Sequence, residues 1–131
     1  MPFFERAGLK LHYFEAGQGP PVLLIHGWGG RARRQWHNTV LELQAGYHFY
    51  ALELRGHGHS EDASDPSYDW AELVADCDAL RAICGIDRWL VVGYSFGALV
   101  ALQYAALLPR RVMGACAVSP LLLAQADKVI D

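Results

Sequence analysis

The sequence predicts an α/β fold: a mostly parallel sheet with helices covering both faces. Three observations carry this reading. Short apolar runs alternate along the chain with stretches of helical periodicity, the order a parallel sheet needs because each crossover is long enough to hold a helix. A tight hairpin pattern at the start supplies an antiparallel edge. No linker, internal repeat or low-complexity stretch divides the 131 residues, so residues 1–131 read as one domain.

The elements follow in order. Phe3 to Arg6 and Leu9 to Glu15 form the hairpin around Ala7-Gly8, and Val22 to Ile25, preceded by Pro21, is a buried strand rich in leucine and β-branched residues. A helix from about Arg34 to Ala45 places Trp36, Val40 and Leu43 on one face, with Gly46 as its stop. Tyr47 to Leu52 is the next strand. The second helix opens on a capping-box pattern, Asp69-Trp70-Ala71-Glu72. It carries Trp70, Leu73, Val74, Cys77, Leu80 and Ile83 at helical spacing before Gly85. After the strand Trp89 to Val92, a helix from Ala98 to Leu108 is apolar nearly all round, which predicts deep burial against the sheet until Pro109 ends it. The last strand, Val112 to Val118, is an uncapped apolar edge, a liability for pairing with another chain.

Chemistry concentrates at Gly93-Tyr94-Ser95-Phe96-Gly97, between a strand and a helix. In that context a G-x-S-x-G segment forms a nucleophile elbow, a sharp turn whose close backbone approach admits only glycine or something equally small at Gly93 and Gly97. Ser95 is the candidate nucleophile. Upstream, the strand ending at Ile25 runs into His26-Gly27-Trp28-Gly29-Gly30. A glycine-rich loop there leaves backbone N–H groups to face a cavity, as an oxyanion hole requires, and the amides of Trp28 and Phe96 are the two expected donors. His26 and Gly27 belong to that loop, where His26 positions backbone.

Together the elbow and the glycine loop resemble the α/β-hydrolase fold family. Two further segments carry the resemblance: Trp36, ten residues after His26, and Glu53-Leu54-Arg55-Gly56-His57-Gly58-His59-Ser60, which is similar to the family's D-x-R-G-x-G-x-S turn with glutamate in place of aspartate. The match runs from residue 3 to about residue 120. It implies an α/β-hydrolase core truncated after the sixth strand, with the cap, the last strands and the last helix missing, and hence a fragment of a longer reading frame or a subunit that must pair. Part of one sheet face would then lack its covering helix.

The implied activity is acyl transfer to water, with Ser95 attacking an ester, thioester or related carbonyl of a small-molecule acyl substrate. Trp28, Phe96 and Tyr94 would line an acyl pocket. Serine at the elbow argues against the relatives that use aspartate, the epoxide hydrolases and haloalkane dehalogenases. In this fold the triad acid and histidine follow the serine. All six histidines, His12, His26, His37, His48, His57 and His59, precede Ser95, so the base is expected outside this chain. Asp127 is a weak candidate for the acid. Asp87, at the start of the strand leading to Ser95, lies roughly 15 Å from the elbow and cannot serve. The rival reading is a non-catalytic binding or assembly module, pairing as a homodimer or with a complementing chain through the 112–118 edge.

Composition bounds the remaining classes. Apolar residues make up 53% of the chain and charged residues 19%, enough for a core. A net charge of −3 gives no electrostatic reason to expect nucleic acid, and Arg31, Arg33 and Arg34 read as a solvated helix start. No apolar stretch reaches a membrane span and nothing at the N-terminus resembles a signal peptide, so no membrane partner and a cytoplasmic location are expected. Cys77, Cys84 and Cys116 read as buried free thiols; the first two lie about 10 Å apart along one helix. The histidines are scattered and His57-Gly58-His59 alone is too small a ligand set, so no metal is expected. No glycine run has the spacing of a dinucleotide loop or a following Walker-type lysine, so no cofactor is expected.

Overall fold

A computed structural model describes residues 2–62 and 69–118. It contains β1 (Phe3–Arg6), β2 (Leu9–Gly17), β3 (Pro21–Ile25), α1 (Ala32–Leu43), β4 (His48–Leu52), α2 (Trp70–Ile83), β5 (Trp89–Tyr94), α3 (Phe96–Leu107) and β6 (Val112–Val118). Every expected element is present, with ends shifted by two residues or fewer: β2 runs on to Gly17, α1 begins two residues early, and β5 and α3 close in on Ser95 from both sides. The β1–β2 turn holds Ala7 at φ 50° and Gly8 at φ 81°, the left-handed pair that a two-residue hairpin demands.

The strands form one sheet in the order β1-β2-β4-β3-β5-β6. β1 and β2 are antiparallel, while β3, β4, β5 and β6 run parallel. Alternation along the strands divides the core in two. Leu23, Ile25, Tyr50, Leu52, Trp89 and Val91 join Leu73, Val74, Cys77 and Leu80 of α2 and Val100, Ala101 and Tyr104 of α3. Val22, Leu24, Phe49 and Ala51 point the other way, to Ala32, Trp36 and Val40 of α1. On this second face Leu90, Val92 and Tyr94 are only half-buried, and an apolar groove runs between them and α1.

Three packing expectations change. α3 is not buried all round: Leu99, Leu102 and Leu107 are about half exposed, because only the Gly97, Ala98, Val100, Ala101, Tyr104 side meets the sheet and α2. Leu43 of α1 and Ile83 of α2 likewise face outward. Asp69 is the N-cap residue of α2, but the capping box does not form; the Glu72 carboxylate accepts from Arg6 instead, which holds it below the usual carboxylate range. Asp76, one turn further on, is 1% exposed and binds both Arg6 and the buried Arg55, whose Nε and Nη2 reach its two oxygens at 2.8 Å. This paired charge ties α2 to β1 and to the loop after β4, the loop that borders the site.

Of the cysteines, Cys77 is buried as expected, with burial pushing its thiol pKa up; Cys84 is half-buried and Cys116 is exposed, which corrects the reading of three buried thiols. β6 is an edge strand whose Met113 is 54% exposed. Among the described residues no helix is long and apolar enough to cross a membrane.

Candidate active site

Chain order and strand order together locate the crevice. From β3 the chain passes through α1 to β4 on one side, then through α2 back across to β5 on the other side of β3. The connections therefore diverge between β3 and β5, and open α/β sheets bind ligands at the carboxyl ends of strands at such a switch point. The two segments that leave those ends are residues 26–30 and the turn at Ser95.

Ser95 is the N-cap of α3, with φ 55° and ψ −112°, a conformation that a residue with a Cβ rarely adopts. Three close approaches enforce it. A Cβ on Gly93 would lie 2.0 Å from the Gly97 carbonyl oxygen, and a Cβ on Gly97 would lie 2.3 Å from Ile25 O and 2.6 Å from His26 O. The Ser95 N–H donates to the Val118 carbonyl at 2.7 Å, so β6 fastens the turn from the far side. The serine itself is exposed, and its side chain makes no capping bond to the helix it opens. It also sits against the glycine loop: the Cβ position of Gly27 is 3.5 Å from Ser95 Cβ.

Two histidines hold that loop. His26 is fully buried; its Nδ1–H donates to the Gly27 carbonyl at 2.7 Å and its Nε2 accepts the Leu54 N–H at 3.0 Å. Burial lowers its pKa, so the ring stays neutral, and with both nitrogens engaged it is a strut between the loops after β3 and β4. His57 is built alike: Nδ1 donates to the Arg55 carbonyl at 3.1 Å, and Nε2 accepts the Gly29 N–H at 2.8 Å. At 8% exposure it is not a solvated loop residue, and neither nitrogen is available to take a proton from Ser95. Gly30 N–H closes onto Gly27 O at 3.0 Å, completing the bend around Trp28.

The glutamate of the 53–60 turn fits its place. Its carboxylate accepts from His12 Nδ1 at 2.6 Å, from the His59 N–H at 3.2 Å and from His59 Nδ1 at 3.1 Å. Burial pushes its pKa up, but these bonds outweigh burial and leave it below the usual value. Gly58 lies so close that a Cβ there would meet the carboxylate. His12, Glu53 and His59 thus come within 4.8 Å of one another, so the histidines that look scattered in sequence are not all scattered in space. His48 pairs with Glu15 at the opening end of β4, and His37 is exposed on α1. Asp127 lies outside the described residues. Asp87 is engaged by Arg111 ahead of β5, away from the elbow.

Aromatic rings frame the mouth. Trp28, 58% exposed, meets Phe96 edge-on at 5.1 Å and His57 at 5.0 Å, and Trp70 stacks on Phe96 at 5.6 Å. Trp70 was legible only as a helix-face residue, and its place beside the elbow follows from α2 packing on α3.

Known proteins share this arrangement. A family model described as alpha/beta hydrolase fold matches residues 20–130. Epoxide hydrolase 3 of Siraitia grosvenorii is 33% identical over 107 residues, 80% of this chain and 34% of its own length. The pimeloyl-[acyl-carrier protein] methyl ester esterase of Vibrio campbellii is 37% identical over 104 residues, 79% and 38% of the two lengths. A solved structure of a Vigna radiata epoxide hydrolase mutant superposes with a TM-score of 0.82 at 32% identity, covering 88% of this chain and 37% of that one. The chain spans about a third of the length of the curated relatives it matches.

Proposed function

The chain belongs to the α/β-hydrolase fold family, and on that premise we propose that it carries the nucleophile and oxyanion hole of an acyl hydrolase, with Ser95 attacking an ester, thioester or similar carbonyl. The observation that carries the proposal is Ser95 itself: an exposed serine at φ 55°, set beside the glycine loop after β3. As Ser95 Oγ bonds to the carbonyl carbon, the π pair moves onto oxygen. The Phe96 amide, in the first turn of α3 where N–H groups lack intrahelical partners, and the Trp28 amide stabilise the resulting charge. Collapse expels the alcohol or thiol, which takes up the proton the general base drew from Ser95 Oγ, and leaves an acyl-Ser95 ester for water to cleave.

Relatives named as epoxide hydrolases and as an ester hydrolase both match this chain. The residue at the elbow favours the ester hydrolase reading. A hydroxyl suits attack on a carbonyl flanked by amide donors, whereas the family's epoxide hydrolases place aspartate there. Trp28, Phe96 and Trp70 form the apolar wall against which the acyl group lies.

A hydroxyl needs a general base. His26 and His57 spend both nitrogens on backbone, His12 and His59 pair with Glu53, and His48 and His37 lie on other parts of the sheet and helix surface. In this reading the general base is a group other than these six histidines. This occupancy also favours a second reading, a non-catalytic module that keeps the elbow and pairs through the β6 edge.

Fluorophosphonate labelling, followed by intact mass and peptide mapping, separates the two. The hydrolase reading predicts one slow adduct on Ser95, absent in Ser95→Ala and accelerated by added imidazole acting as the missing base. A folded sample that gives no adduct with or without imidazole supports the module instead.

A further inference from the structure

Two strands across the sheet from Ser95, a cavity of about 370 Å³ opens beside the start of α1. His12 and Glu53, each 3% exposed, are its deepest lining, and the exposed Arg31, Arg33 and Arg34 line its outer part. Three features of this cavity favour negative charge, and a fourth fixes one of its charges in place. None of the three arginines forms an ion pair among the described residues, so three positive charges face the space against the single Glu53 carboxylate. The N-terminus of α1 is capped by no side chain and has no acidic residue in its first turn, leaving its positive end uncompensated. Arg33 is held in place over the Phe14 ring at 5.0 Å. Finally, His12 Nε2 is buried with no hydrogen-bond partner, an arrangement proteins rarely leave unmet.

We infer that this cavity binds a phosphate-class oxyanion, either inorganic phosphate or a phosphomonoester, held by the arginines and by His12 Nε2–H. His12 Nδ1 already meets the Glu53 carboxylate at 2.6 Å, which leaves Nε2 as the ring atom open to an anion. The positions of His12, Glu53 and His59 also match a metal-ligand set, but a divalent cation is disfavoured twice. Oε1 of its carboxylate ligand already accepts the His59 N–H and faces both Nδ1 atoms, and three guanidinium groups repel it. The inference is independent of the chemistry at Ser95.

Titration of the chain with inorganic phosphate and with phenyl phosphate, read by calorimetry and by histidine-ring NMR, tests it. Saturable binding in the millimolar range or tighter, with the His12 ring signals shifting as phosphate is added, is expected. Phenyl phosphate binding more tightly than phosphate identifies a phosphomonoester site; the reverse identifies free phosphate. The charge reversal Arg31→Glu with Arg34→Glu, both at exposed positions, should weaken binding at least tenfold while leaving the urea midpoint in phosphate-free buffer unchanged. His12→Asn, which keeps a donor for Glu53 and removes Nε2, should also weaken it at least tenfold. Undetectable phosphate binding, equal affinity in the charge-reversed variant, or Zn²⁺ bound at His12 and His59 in preference to phosphate would each overturn the inference.

Discussion

Replacing Gly97 with alanine tests the packing that aims Ser95. The glycine has ordinary helical φ, so the backbone conformation tolerates a side chain, and only space is at issue. The new Cβ would stand 2.3 Å from Ile25 O and 2.6 Å from His26 O, both main-chain atoms at the end of β3 that no rotamer change can move. Carbon and carbonyl oxygen approach comfortably to about 3.3 Å, so the start of α3 must retreat by about 1 Å. Overpacking of this kind costs about 1–3 kcal/mol. For a chain of this length that lowers Tm by about 4–11 °C. The same displacement separates Ser95 and the Phe96 amide from the loop after β3, and misplacement by 1 Å costs about 100-fold in rate. Thermal unfolding and the fluorophosphonate labelling rate read the two effects, with Gly46→Ala as control because nothing lies within 4 Å of its Cβ position. A Gly97→Ala protein with unchanged Tm and unchanged labelling would show that this close approach does not position Ser95.

Three other outcomes follow from the same structure. Ser95→Gly should abolish labelling yet raise stability by about 1 kcal/mol, because glycine accepts φ 55° without strain; an unchanged or lower urea midpoint would count against the strained elbow. Asp76→Asn removes the bidentate counter-charge of the buried Arg55, leaving Glu72 at 3.7 Å as a weaker one, and should cost about 3 kcal/mol, shifting the urea midpoint by about 1 M or more; a shift within error would mean the ion pair is not structural. The His26 pKa is lowered on folding, so the unfolded chain takes up the proton first as pH falls below 6.5. The stability this group contributes is whole above that pH and is lost as pH falls toward the folded value, with a slope of at most about 1.4 kcal/mol per pH unit. Urea midpoints that hold constant from pH 7 to 5 would show that His26 is not held neutral.

What could be read from the sequence is what local sterics dictate. The elbow was legible because a strand, a serine flanked by glycines and a helix in succession leave few conformations, and Gly93 and Gly97 sit where a Cβ has no room. The His26 loop was legible for the same reason. Partners distant in sequence were not: Arg6 and Asp76 are 70 residues apart, and His12 meets Glu53 only because β2 pairs antiparallel with β4 in a register no local pattern reveals. The half-exposed side of α3 was hidden by its composition, since a helix apolar on every face gives no sign of which side is buried. Asp69 and Glu72 showed the helix start correctly but not its interactions, because Arg6 outcompetes the backbone N–H for the Glu72 carboxylate.

In the proposed mechanism Ser95 is aimed at two amides already oriented for negative charge, and a crystal structure of the chain carrying a phosphonate on Ser95 shows whether it is. The phosphoryl oxygen should lie about 2.7–3.1 Å from both the Trp28 and the Phe96 amide nitrogens. An adduct whose phosphoryl oxygen points to solvent, or contacts neither amide, would contradict it.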